Sequence, residues 1–128
     1  MIPLNADQRA FVTFHYANPE VETKLTRMAF DLLDSGVKKW SVWPLYGTLR
    51  YTDMLTRQTD RYKMANGHIA YYARLIMRDT PKLQDFFTIR GSVKLPISVP
   101  HGDHIIERGL KVEDYFRVQD QLRLVPGA

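Results

Sequence analysis

Apolar residues recur at intervals of three and four along most of the chain, the period of an α-helix rather than a strand. The clearest run spans residues 18–36, where Val21, Leu25, Met28, Ala29, Leu32 and Leu33 share one stripe. Asn18 suits the N-cap, Pro19 the first helical position, Glu20 and Glu22 the positive end of the helix dipole, and Gly36 the stop. Ser41 caps the next helix and Pro44 falls in its first turn, where proline is tolerated; Val42, Leu45, Tyr46 and Leu49 point inward, continued by Met54 or Leu55. Asn66 and Gly67 open a third clear helix with Ile69, Tyr72, Ala73, Ile76 and Met77 inward. Thr80 and Pro81 end it and start a short helix packing through Leu83, Phe86 and Phe87. Residues 5–16 read two ways. Asn5 is a cap and Ala10, Phe11 and Phe14 have helical spacing, while the run FVTFHY suits a strand. Short strands are allowed at residues 37–40 and 61–64. Beyond residue 90 the texture changes: VKLPISVPHGD reads as extended or loop, and HIIERGLKVEDYFRVQDQLRLV is amphipathic but interrupted by Gly109. The pattern predicts a mainly α fold, a compact helical domain of four to five helices over residues 1–90, helix-turn-helix-like, with a C-terminal extension over residues 91–128.

Composition narrows the function classes. The chain has 128 residues, 45% of them apolar, and no cysteine, enough apolar material for a core without disulfide or thiolate-metal staples. The start, MIPLNADQRAFVTF, lacks a positive n-region followed by an apolar stretch. No apolar run approaches the ~20 residues of a membrane span. The expectation is a soluble, cytoplasmic protein with no membrane partner.

Charge adds a location. The net charge of +4 resolves into −2 on residues 1–36, +6 on residues 37–78 and zero on residues 79–128. The basic third also holds Trp40, Trp43, Tyr46, Tyr51, Tyr62, Tyr71 and Tyr72. Cations interleaved with aromatics suit phosphate contacts plus stacking. In helix-turn-helix geometry the later helix enters the major groove. Helical phase then turns His68, Tyr71, Arg74, Leu75 and Arg78 outward on the helix of residues 66–79, with Arg74 at a guanine edge or phosphate. Lys38, Lys39, Arg61 and Lys63 supply flanking backbone contacts. The connector before that helix is longer than the three or four residues usual in a helix-turn-helix. The competing reading is a solvated surface over an aromatic core.

The runs NPEVETKLTRMAFDLLDSG, WPLYGTLRYTDML and YKMANGHIAYYARLIMRDTPKLQDFF resemble a family of small, functionally uncharacterised phage and bacterial proteins. Its pattern is a helix opening Asn-Pro, a segment near Leu-Phe-Glu-Val-Leu-Arg-Trp, a stretch like Phe-Lys-Leu-Asn-Asn-Asn-Tyr, then Tyr-Ala-Arg-Leu-Ile-Met and Pro-x-Leu-x-x-Phe-Phe. The matching positions are Asn18 and Pro19 and residues 45–51, 62–67, 72–77 and 81–87, within residues 12–91. The chain departs at Tyr46, Gly47 and Thr48 and at residues 64–67. The resemblance implies a phage or prophage origin and a DNA-binding helical fold; it supplies no catalytic mechanism.

Enzyme chemistry finds little support. The glycines are isolated, no serine sits in a nucleophile elbow, and Asp53, Asp60, Glu113 and Asp114 share no catalytic spacing. His101, Asp103 and His104 are candidate metal ligands, with Glu107 as a third-ligand option, against a solvated loop as the plainer reading. The expectation is a DNA-binding protein that is not an enzyme and needs no cofactor. The alternative is a phage-encoded interaction module or inhibitor docking on a host nucleic-acid-processing or defence complex through residues 91–128.

Overall fold

A computed structural model describes residues 3–89, 91 and 93–124. Six α-helices lie in this order: α1 (Ala6–Ala17), α2 (Glu20–Asp34), α3 (Val42–Arg57), α4 (Asn66–Asp79), α5 (Gly102–Arg108) and α6 (Val112–Leu124), with a 3₁₀ turn at Pro81–Leu83. The all-α expectation holds. No strand forms among the described residues. Residues 61–64 are turn and loop, and only Trp40 pairs in extended fashion, with Phe87. There the Trp40 N–H donates to Phe86 O (2.9 Å) and the Thr88 N–H to Trp40 O (3.0 Å).

Local chemistry explains the helix ends. Asn5 Oδ1 accepts from the Gln8 N–H and Gln8 Oε1 from the Asn5 N–H, both at 2.8 Å. This capping box decides the helix over the strand for α1. Asn18 serves the other side of the junction from that expected: its side chain and its N–H donate to Phe14 O, closing α1. Pro19 begins the next helical turn at φ −65°. Gly36, at φ +102°, lets Val37 N–H reach Leu32 O and Gly36 N–H reach Leu33 O, the paired bonds of a Schellman stop. Ser41 Oγ accepts from Trp43 N–H to start α3.

α4 is the central helix, packed against α1, α2 and α3 at once. Ile69, Ala70, Tyr71, Tyr72, Ala73, Leu75 and Ile76 are all buried on it. Phe11 of α1 stacks on Tyr71 (centroids 4.9 Å apart) and meets Tyr72 edge-on (5.0 Å). After α4 the chain crosses back over α1 and α4 through hydrogen bonds to its own carbonyls. Gln8 reaches Lys94 O (3.0 Å), Arg78 reaches Val99 O (2.6 Å) and Tyr115 reaches Ile97 O (2.7 Å). This places α5 on α2 and α1, and α6 on α1. Among the described residues no helix is long and apolar enough to cross a membrane.

Candidate nucleic-acid interface

α2 and α3 leave a groove of about 480 Å³ between them. Its floor is Met28 and Leu49; Lys24 and Arg27 stand on the α2 wall and Arg57 at the end of α3. Thr48, Thr52 and Thr56 also line it, spaced four apart on one flank of α3, so each lies about 6 Å along the helix from the next. One carboxylate, Asp53, borders the groove, and it is already engaged. Arg61 holds it with two bonds (3.0 and 2.9 Å) and Arg57 adds a third (3.2 Å). The Arg61 bonds hold Asp53 below the usual carboxylate range. Arg61 also lies over the Tyr62 ring and donates to its hydroxyl (2.8 Å), which donates to Glu20 (2.7 Å). The groove therefore presents a positive wall with hydroxyls along one side.

The structure redistributes the eight residues expected to contact nucleic acid. Lys38, Lys39 and Lys63 are exposed. His68 sits 3.4 Å from Asp7. Tyr71 and Leu75 do not face outward: they are core, because α4 has helices on several sides and its apolar residues circle it. Arg74 donates to Ala70 O and Gly91 O, and Arg78 to Val99 O and Asp79. These arginines fasten the chain after α4 to the helix, and Arg61 is tied to Asp53. On α4 the contact expected from Tyr71 is therefore buried, while Arg78 stays exposed. Lys24 and Arg27 lie on the net-acidic first segment, so net charge by segment does not reveal them; their i, i+3 spacing along the edge of the apolar stripe of α2 is the local signal.

The suggested metal loop divides as well. Asp103 accepts from Thr23 (2.6 Å), and exposed His104 packs on His101 (5.7 Å between rings). His101 instead meets Glu22 and Asp79, with ligand-type atoms of all three within 4.8 Å of one another. Hydrogen bonding accounts for this trio. His101 Nδ1 accepts from the Asp103 N–H (3.0 Å), so the neutral ring carries its proton on Nε2, 3.5 Å from Glu22 Oε2. A cation at Nε2 would have to displace that proton to Nδ1 and break the bond from the Asp103 N–H. Glu22 Oε1 accepts from Gly102 N–H (2.7 Å). Glu22 Oε2 and Asp79 Oδ2 are both buried without a partner. One proton on Glu22, shared toward Asp79, satisfies both. Burial and the bond to Asp79 push Glu22 up to about 9. Asp79 is raised by burial but held low on balance by bonds from Arg78 and Glu22. Beside them burial lowers His15 to about 4. Its neutral ring donates from Nε2 to Pro100 O (2.9 Å) and accepts at Nδ1 from the Tyr72 hydroxyl (3.1 Å).

A pH dependence follows. Folded Glu22 keeps a proton up to about pH 9 that the unfolded chain releases near 4.5. Its contribution to stability is full below 4.5 and is lost as pH rises through about 9. Glu22→Gln retains a donor toward Asp79 and an acceptor for Gly102 and cannot ionise. Chemical denaturation at pH 6 and pH 9 is expected to show a fall in wild-type stability that the variant largely lacks; equal falls would remove Glu22 as the cause.

Compared with protein-family models, curated proteins and solved structures, the chain has no match.

Proposed function

We propose that the protein binds nucleic acid, with the α2–α3 groove holding the phosphate backbone. The observation that carries this reading is the convergence of Lys24, Arg27 and Arg57 with three threonine hydroxyls around a carboxylate that Arg61 already neutralises. Thr48 and Thr56 donate to their own helix (Pro44 O, 2.9 Å, and Thr52 O, 3.1 Å), so the phosphate contacts fall to the three cations, and cations spread along a groove suit an extended polyanion better than a single phosphate. Exposed Lys38, Lys39 and Lys63 supply further sequence-independent contacts.

Fluorescence anisotropy with labelled duplex and single-stranded DNA tests it. With about three phosphate contacts, duplex affinity is expected to fall about 40-fold between 50 and 200 mM salt. Absence of binding at low salt ends the proposal. The interaction-module reading predicts instead a host protein captured from cells after nuclease treatment, through a surface that includes residues 91–128.

A further inference from the structure

On α3, Pro44, Gly47, Thr48, Tyr51, Met54 and Leu55 are all exposed and none is charged. They form one uncharged face about 16 Å long, in a chain of which 25% is charged. Tyr51 and Leu55 are 64% and 66% exposed and Met54 43%, so three large side chains adjoin in water. Helical phase separates them from the buried positions Val42, Leu45, Tyr46, Leu49 and Asp53. From this face we propose that the protein forms a two-fold dimer in which α3 packs antiparallel on α3 of a second copy, centred on Tyr51.

Self-complementarity identifies the occupant. Three and four residues after Tyr51 stand the large Met54 and Leu55; three and four before it stand the small Thr48 and Gly47. An antiparallel pairing about Tyr51 brings Met54 level with Thr48 of the second copy and Leu55 level with its Gly47. Large meets small on both sides, as an isologous interface requires. A Cβ on Gly47 would meet nothing within 4 Å in the monomer, so the notch is open to another chain. Charge does not oppose the approach. Arg50, beside the face, is held by Asp60 through two bonds, and Arg57 by Asp53. A contact of this length falls short of the ~1,200 Å² of a stable specific interface, so the dimer is a weak one in exchange with monomer.

The dimer goes beyond the nucleic-acid reading and bears on it. The two-fold axis runs normal to the plane of the paired helices. Both grooves lie on the same flank of α3, so they open on the same side of the dimer.

Sedimentation equilibrium of the full chain without nucleic acid tests the dimer separately from DNA binding. The weight-average mass is expected to rise from 14.9 kDa toward twice that value with concentration. Leu55→Glu is expected to weaken association at least tenfold. Gly47→Leu fills the notch. It is expected to remain monomeric while melting no lower than the wild type, because leucine favours a helix over glycine. A wild type that stays monomeric up to several hundred micromolar, or a Gly47→Leu protein that dimerises normally, overturns the proposal.

Discussion

Gly102→Ala is expected to destabilise the protein by about 3–5 kcal/mol, the sum of overpacking and of an unpaired buried carboxyl. The added Cβ would sit 2.0 Å from Pro19 O and 3.0 Å from Pro19 C, both backbone atoms at the start of α2. Neither side can yield by rotating a side chain. Relief requires α5 to withdraw, which stretches the 2.7 Å bond from Gly102 N–H to fully buried Glu22. The Thr23–Asp103 bond lies one residue further along each partner and is strained with it. Gly67→Ala is the control, since nothing lies within 4 Å of its Cβ and it is helical; it is expected to be neutral or slightly stabilising. Urea denaturation of the two variants gives the comparison. Equal stabilities would mean that α5 does not dock as described.

The second large effect concerns binding. Arg27→Ala with Arg57→Ala is expected to weaken duplex DNA binding at 50 mM salt at least tenfold. It should also reduce the slope of log affinity against log salt by about 2, one phosphate contact for each arginine. Both residues are exposed, and Asp53 keeps its two bonds from Arg61 when Arg57 is gone, so folding is expected to survive. The informative contrast is Arg74→Ala with Arg78→Ala. Those side chains hold the carbonyls of Ala70, Gly91 and Val99. Their removal is expected to lower the melting temperature and leave the salt slope unchanged. The reverse outcome, a slope sensitive to Arg74 and Arg78 but not to Arg27 and Arg57, would overturn the groove as the binding surface.

Helix ends are readable where their signals are local: the Asn5 and Ser41 caps and the Gly36 stop each act across fewer than six residues, whereas Asn18 closes α1 and does not open α2. Phase was readable only where one side of a helix is covered. On α3 the inward stripe continues from Leu49 to Asp53 rather than to Met54 or Leu55. A carboxylate occupies that position because Arg61 folds back to meet it. On α4 the assumption of one polar side failed, since Tyr71 and Leu75 belong to an apolar surface that runs around the helix. The site was less legible than the fold. Its cations come from two segments of opposite net charge, and only the packing of α2 on α3 unites them. Glu22 reads in sequence as a dipole-friendly first-turn residue. Its neighbours Gly102 and Asp79 lie 80 and 57 positions away, beyond any local rule.

The placement of the two tryptophans decides what light reports about this molecule. Trp40 and Trp43 stand together at the start of α3, where Trp40 pairs with Phe87. Indole emission therefore watches that corner alone, while α5 and α6 dock on α1 and α2, outside the elements that surround the indoles. In the wild type the Glu22–Gly102 bond ties the two regions, so emission and far-ultraviolet circular dichroism melt together. With Gly102→Ala the dichroism signal is expected to fall first, in a step to which the tryptophans are blind.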